Sequence, residues 1–124
     1  MQALRRTLIA LPLLLAALGA HAAAAVGQIA PDFTLQSTEG KPVRLSELRG
    51  KYVVLEWTNP GCPFVRKHYD SGNMPATQKA AREQGLAWLS INSTAKASGD
   101  YLEPARLAAW LAERQPDIVC LQET

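Results

Sequence analysis

The chain has 124 residues, enough for one domain. Its 13 lysines and arginines exceed its 11 acidic residues by two, and two of the basic residues are Arg5 and Arg6 at the N-terminus. Without that terminus the chain is formally neutral, which gives no electrostatic basis for binding nucleic acid.

The N-terminus has the pattern of an export signal. Two arginines precede an apolar run from Thr7 to Ala20, and Ala20-His21-Ala22 offers the small residues of a cleavage site. The pattern predicts a signal peptide over residues 1–22, a periplasmic or secreted product, and no stable membrane insertion after cleavage. The alternative is an uncleaved membrane anchor, because no charge occurs between Thr7 and Pro31.

The rest of the chain predicts an α/β domain. Alternating polar and apolar residues around the turn Ser37–Pro42 indicate a β-hairpin, and a single helical turn ends at Gly50. Three mainly apolar runs then predict strands that alternate with helices, which implies right-handed crossovers and a parallel sheet. The predicted strands are 52–57, 86–91 and 117–121, and the predicted helices are 62–69, 74–84 and 103 to Pro116.

Cys62 is the residue for which the sequence predicts chemistry. A Pro-Gly turn separates it from the first buried strand, and Pro63 follows it, so a helix is expected to begin at this cysteine. Unpaired N–H groups and the helix dipole stabilise a thiolate at such a position. In open α/β sheets, functional sites lie beyond the carboxyl ends of the strands, where Cys62 falls.

Three further features accompany Cys62 in the sequence. Arg66, four residues later on the same helix face, either stabilises the thiolate or is a solvated surface charge. Trp57 and Phe64 are expected to pack around the loop. Glu56 is a carboxylate within an otherwise apolar strand.

The second cysteine, Cys120, lies in the third predicted strand. Two cysteines in an oxidising compartment can form a structural disulfide, and this alternative to a reactive Cys62 stays open. No cysteine and histidine have the spacing of metal ligands, so neither a metal nor another cofactor is expected.

Several segments together resemble the redoxins, the thioredoxin-fold alkyl hydroperoxide reductase/thiol-specific antioxidant superfamily. These segments are Ala30–Leu35, Leu45–Lys51, the strand into Trp57, Asn59–Tyr69 and Ser71–Met74. The last two, Asn59–Tyr69 and Ser71–Met74, are similar to one exported branch of the redoxin-domain proteins. The resemblance implies a three-layer α/β/α fold over residues 26–124, with a mainly parallel central sheet and an N-terminal hairpin. It also implies a thiol-disulfide oxidoreductase or peroxiredoxin-like antioxidant in cell redox homeostasis, acting on protein or small-molecule disulfides and thiols or on hydroperoxides.

The sequence departs from both main redoxin site patterns. Val65 occupies the position of the second thioredoxin cysteine. Asn59 stands where peroxiredoxins have Thr or Ser three residues before the cysteine, and Thr58 lies one residue further away. The resemblance therefore implies a single nucleophile, Cys62, with Thr58 as a helper and with an external thiol or Cys120 completing the cycle. A non-catalytic binding module with a structural or vestigial cysteine is the alternative.

The C-terminal segment differs from a full thioredoxin fold. The last hairpin, the final helix and the cis-proline of that fold have no counterpart here, which predicts a domain that is incomplete at its C-terminus. Residues Arg106–Thr124 are also similar to the first helix and strand of exonuclease III-like nucleases, in which the glutamate matching Glu123 binds magnesium. Since the other residues of such a site are absent, a fused nuclease fragment is the remote alternative and no nucleic-acid partner is expected.

Overall fold

The computed structural model describes residues 25–114 and 119–122. The chain divides into two compact units, Met1–Pro31 and Asp32–Thr124. The predicted signal peptide over residues 1–22 lies outside the described residues. Within the described ranges, no helix has the length and apolar character needed to cross a membrane.

A five-stranded mixed sheet forms the centre of the second unit, in the order β2-β1-β5-β4-β3. The first two strands form the predicted antiparallel hairpin, and the last three are parallel to one another. β1 also pairs with β5 in antiparallel orientation, which joins the hairpin to the parallel strands. The strands are β1 (Thr34–Ser37), β2 (Pro42–Arg44), β3 (Val53–Trp57), β4 (Ala87–Asn92) and β5 (Val119–Gln122).

Three α-helices connect the parallel strands: α1 (Pro63–Asp70), α2 (Asn73–Glu83) and α3 (Pro104–Ala112). α1 and α3 each begin with a proline, whose fixed φ suits the first helical position and whose missing N–H is not needed there. Gly72, with φ of +78°, separates α1 from α2 in a left-handed conformation that favours glycine. Each element was predicted from the sequence, with bounds that differ by a few residues at most.

The helices pack against one face of the sheet. Tyr69 of α1 and Leu107 and Leu111 of α3 are buried with Cys120 of β5, and Met74 of α2 packs against them. The opposite face buries another cluster, to which the hairpin and the 3₁₀ turn Leu45–Leu48 contribute apolar side chains. Both faces of the parallel strands are therefore covered, as their nearly continuous apolar sequences predicted.

Strand register places three side chains in a row beneath the helices. Glu56 of β3 pairs with Ser90 of β4, and Ser90 pairs with Cys120 of β5. Paired residues of parallel strands point to the same side of a sheet. The carboxylate of Glu56 and the thiol of Cys120 therefore share the face that the helices cover.

Candidate active site

A tight turn positions Cys62 at the start of α1. The Gly61 N–H donates to Asn59 Oδ1 at 2.7 Å, and the Cys62 N–H donates to the Asn59 carbonyl at 2.9 Å. The Arg66 N–H donates to the Cys62 carbonyl at 3.0 Å, which is the first hydrogen bond of the helix. Cys62 is thus the N-cap residue, and no side chain caps α1. The side chain of an N-cap residue normally accepts hydrogen bonds from the free N–H groups of the first helical turn, and at this position Cys62 places a sulfur atom.

Cys62 lines an open cleft of about 520 Å³. The cleft forms where β3 and β4 end, which is the sheet edge at which the sequence predicted a site. Its walls come from the segment that follows β3 and from the loop between β4 and α3. They are Trp57, Thr58, Asn59, Cys62 and Val65 on one side and Ser93, Thr94, Ala95 and Ser98 on the other.

Asn92 joins these two walls beneath the cleft. Its side chain is 2% exposed; Nδ2 donates to the Thr58 carbonyl at 2.9 Å, and Oδ1 accepts the Thr94 N–H at 3.1 Å. The Thr58 N–H also donates to the Ile91 carbonyl at 2.8 Å. Asn92 directly follows the predicted strand 86–91 and was assigned no role from the sequence, so this positioning role was missed.

A second contact between the walls requires glycine at position 61. A Cβ atom built on Gly61 would lie 2.6 Å from Asp100 Cβ and 2.7 Å from Asp100 Oδ1. Real Cβ atoms essentially never approach other atoms so closely. The loop that carries Asp100 therefore rests on the turn before Cys62 because no side chain separates them.

The structure places the two predicted helper residues differently. Thr58 lines the Cys62 cleft, is 4% exposed, and its Oγ1 has no hydrogen-bond partner among the described residues. The exposed Arg66 lines a neighbouring depression with Asp100 and Arg106. Thr58 therefore shares the cleft with Cys62, whereas the participation of Arg66 stays a prediction.

Trp57 and Phe64, which the sequence placed around the loop, are largely in solvent. Their exposed fractions are 62% and 76%. They give the surface beside Cys62 two aromatic side chains.

Cys120 occupies a different environment from Cys62. Both thiols are free, and Cys120 is 3% exposed within the core beneath α3. Burial, with a further contribution from the negative charge of Glu56, raises the pKa of the Cys120 thiol to about 12. At neutral pH this thiol is protonated and enclosed, so it lacks the thiolate needed for attack.

Glu56 is the acceptor in a network of neutral donors. Its Oε1 accepts from the Tyr69 hydroxyl at 2.8 Å, and its Oε2 accepts from Trp88 Nε1 at 2.8 Å, Gln78 Nε2 at 2.9 Å and the Ser90 hydroxyl at 2.9 Å. Burial, and secondly the charge of Glu56, raise the pKa of Tyr69 to about 12. The sequence identified the carboxylate but not its partners, which come from α1, α2 and β4.

Within the described ranges, 25–114 and 119–122, no three His, Cys, Asp or Glu side chains lie close enough together to hold a metal ion. The arrangement that remains is a half-buried thiol at a helix start, a cleft lined by hydroxyl groups, and a hydrogen-bonded carboxylate beneath the same helix.

Solved structures with the same fold define the class of the domain. A hypothetical protein of Sinorhizobium meliloti 1021 matches with a TM-score of 0.70 and 21% identity, over 82% of this chain and 55% of that one. The exposed lipoprotein thioredoxin Etrx1 of Streptococcus pneumoniae TIGR4 matches with a TM-score of 0.55 and 26% identity, over 75% of this chain and 66% of that one. The protein has a thioredoxin-like fold.

The chain belongs to the AhpC/TSA family, whose sequence pattern matches residues 26–121. The thiol-disulfide oxidoreductase ResA of Geobacillus thermodenitrificans is 38% identical, over 70% of this chain and 53% of that protein. The chain thus spans about half the length of this curated relative. The family match includes α3 and most of β5, which lie in the segment that also resembled a nuclease. Glu123, the residue that matches the magnesium-binding glutamate of those nucleases, lies outside the described residues.

Proposed function

We propose that this domain is an exported thiol-disulfide oxidoreductase in which Cys62 is the single nucleophile. The observation that carries the proposal is the position of Cys62, half-buried at the N-cap of α1 and on the wall of an open cleft. The other thiol of the chain is enclosed and has a raised pKa. Of the two thiols, Cys62 is therefore the one that a substrate can reach.

The helix start supplies the chemistry for the first step. The first-turn N–H groups and the positive end of the α1 dipole lie at the Cys62 side chain and attract the negative charge of a thiolate nucleophile. The thiolate attacks one sulfur of a substrate disulfide; the substrate S–S bond breaks, a Cys62–substrate disulfide forms, and the second substrate sulfur leaves as a thiolate.

Because Val65 stands one helical turn after Cys62, no second thiol of the helix resolves the mixed disulfide. An external thiolate attacks its substrate sulfur, which returns Cys62 as a thiolate and leaves the substrate joined to the external thiol. Low-molecular-weight and protein thiols are the chemical classes that provide this co-reactant.

Two kinds of similarity support the proposal. The curated relative from Geobacillus thermodenitrificans is named a thiol-disulfide oxidoreductase, and the matching protein of Streptococcus pneumoniae is described as an exposed lipoprotein thioredoxin. The apolar N-terminal segment ending in Ala20-His21-Ala22 supports export of this chain.

The test compares the parent with Cys62→Ser and the matched control Cys120→Ala in the reduction of a chromogenic aromatic disulfide by excess external thiol. We expect Cys62→Ser to return the rate to the uncatalysed background, and Cys120→Ala to stay within about twofold of the parent. A parent rate equal to background would overturn the proposal and favour a non-catalytic binding module. An active Cys62→Ser protein would exclude Cys62 as the nucleophile.

A hydroperoxide is the second candidate substrate, and the observation that favours it is Thr58. Thr58 lines the Cys62 cleft, and its buried Oγ1 has no hydrogen-bond partner among the described residues, so this hydroxyl is available to donate to a peroxide oxygen that reaches it. Attack of the thiolate on the O–O bond gives a sulfenic acid and an alcohol or water, and external thiols then reduce the sulfenic acid.

Consumption of cumene hydroperoxide with an external thiol tests this second candidate. If it is correct, Thr58→Val reduces peroxide turnover by about tenfold and leaves disulfide exchange nearly unchanged, since one donor hydrogen bond to the reacting group is lost. Equal loss of both activities would show that Thr58 acts through the fold. Absence of peroxide turnover in the parent would exclude the candidate.

A further inference from the structure

A small cavity between the end of β3, α1 and the start of α2 has Glu56 among its lining residues. Its volume is about 150 Å³, and its other lining residues are aromatic, aliphatic and one histidine: Trp57, Phe64, Val65, His68, Tyr69 and Met74. The largely exposed Trp57 and Phe64 lie towards solvent, whereas Glu56 is half-buried. The cavity is thus an apolar passage with a carboxylate among its lining groups.

Neutral groups hold the carboxylate of Glu56 by hydrogen bonds. Its donors among the described residues are a phenol, an amide, an indole and a hydroxyl, from Tyr69, Gln78, Trp88 and Ser90. Among the described residues, Oε2 accepts from Gln78, Trp88 and Ser90, and the Tyr69 hydroxyl is the one donor to Oε1, with a longer contact of 3.1 Å to Oε2. Because each carboxylate oxygen offers about two acceptor sites, Oε1 retains capacity for another donor.

We propose that this cavity binds an alkylammonium group, as found in a lysine side chain or a free aliphatic amine. Aromatic rings such as those of Trp57 and Phe64 attract cations, and the aliphatic lining suits the methylene stem that carries the ammonium group. Glu56 then accepts a charge-assisted hydrogen bond from the ammonium group.

The cavity adjoins the Cys62 cleft, since Trp57 and Val65 line both. The next step rests on the thiol exchange proposed above. In that reaction, a lysine near the substrate disulfide enters the cavity while Cys62 attacks the sulfur. Glu56 thereby becomes a specificity-determining residue for basic substrates.

Binding is tested without thiol chemistry, in the full chain carrying Cys62→Ser. The indole N–H of Trp88 donates to Glu56 at 2.8 Å, so its ¹⁵N-resolved NMR signal reports on the carboxylate. We expect n-butylammonium to shift this signal saturably, and to bind about tenfold more tightly than butan-1-ol, a difference of about 1.4 kcal/mol. No saturable shift, or equal binding of the neutral alcohol, would overturn the proposal.

Variants then identify the group that binds. Glu56→Gln should abolish the n-butylammonium response, and the matched control Glu83→Gln, which removes an exposed carboxylate from α2, should keep it. If Glu56→Gln does not fold, Met74→Phe narrows the cavity while retaining the carboxylate and should also abolish the response. A response that persists in a folded Glu56→Gln or Met74→Phe protein would contradict the proposal.

The source of the ammonium group is decided by exchange kinetics with Cys62 restored. Two disulfide peptides are compared that differ only in having lysine or norleucine near the cysteine. We expect the parent to exchange about tenfold faster with the lysine peptide, and the Glu56→Gln protein to exchange with both peptides at equal rates. Equal rates in the parent, together with n-butylammonium binding, would assign the cavity to free amines. No exchange with either peptide would contradict the proposed thiol activity, and the binding result would stand independently.

Discussion

Cys62 and Cys120 carry the same functional group in opposite settings. Cys62 lies after the end of β3, where the chain turns into α1 and a cleft opens. Cys120 lies within β5, between β1 and β4, with α3 above it. The first is surrounded by free backbone N–H groups and solvent, and the second by apolar side chains and the charge of Glu56.

The difference predicts that backbone position decides which thiol reacts. A helix N-terminus lowers the free energy of a thiolate, whereas burial next to a carboxylate raises it. Neither effect needs a catalytic side chain in the cleft. If the proposed function is correct, the position of a cysteine between a strand and the start of a helix is sufficient to make it the reactive one.

Selective alkylation gives the largest expected contrast. With a pKa of about 12, Cys120 has a thiolate fraction of about 10⁻⁴ at pH 8, against roughly a quarter for an ordinary cysteine. We expect iodoacetamide to label Cys62 at least about a thousandfold faster than Cys120 in the native protein, as measured by mass spectrometry of peptides. Comparable labelling would contradict the burial of Cys120, and labelling in urea provides the control in which both react.

The pH dependence of stability tests the Cys120 environment. The pKa of Cys120 rises from 9.0 to about 12 on folding and that of Tyr69 from 10.0 to about 12, so the folded protein keeps protons that the unfolded chain releases. This stability is fully present below about pH 9 and is lost as pH rises, with a slope of up to about 1.4 kcal/mol per pH unit for each group.

Urea unfolding between pH 7 and 11 measures this loss. Cys120→Ala should remove the part of the decline that begins near pH 9, and Tyr69→Phe the part that begins near pH 10, because the unfolded groups titrate there. If stability declines with pH in both variants as it does in the parent protein, groups other than Cys120 and Tyr69 cause the decline.

Gly61→Ala tests the Cys62 environment. The added methyl group meets Asp100, so the two loops must separate, which should lower the free energy of unfolding by about 1–3 kcal/mol and slow disulfide exchange. Adding Asp100→Gly to the Gly61→Ala chain removes the obstructing side chain, and it should restore most of the free energy of unfolding and most of the rate of disulfide exchange. If the double variant is no better than Gly61→Ala, the loop contact is not the cause.

Arg114→Ala should have the smallest effect. Its guanidinium lies 4.3 Å from the centroid of the Trp110 ring and pairs with the exposed Asp70 at 3.2 Å. Such surface interactions contribute about 0.5–1 kcal/mol each at most, so we expect a loss of about 1 kcal/mol by urea unfolding and no change in Cys62 alkylation. A changed alkylation rate would show that the two cysteine environments are coupled through α3.

Features with local signals were predicted from the sequence. Apolar runs identified the strands, and the turn followed by Cys62-Pro63 identified the start of α1 to within one residue. Trp57 was expected to pack, but it is the last residue of a strand that lies at the edge of the described sheet, and its side chain is exposed. Periodicity alone carries no information on which strand becomes an edge.

Long-range features of the site could not be predicted in this way. The donors to Glu56 lie 13 to 34 positions away, and their meeting depends on strand register and on how α1 and α2 pack. Arg66 has helical spacing from Cys62, yet it lines the adjacent depression, because a long exposed side chain is not held by spacing. Thr58 came from the family resemblance, and the structure adds that its hydroxyl is buried in the cleft wall.

The strand order has a consequence for biosynthesis. β5, the last described strand to be made, lies between the hairpin and β4, and residues more than 80 positions apart pair across β1 and β5. A ribosome releases the hairpin first, so Leu35 and Val43 wait for β5, and with it Leu121, before their apolar cluster is complete. Closing so large a loop is entropically costly and slow. The nascent hairpin is therefore the segment of this domain that a ribosome-associated chaperone has the longest time to bind.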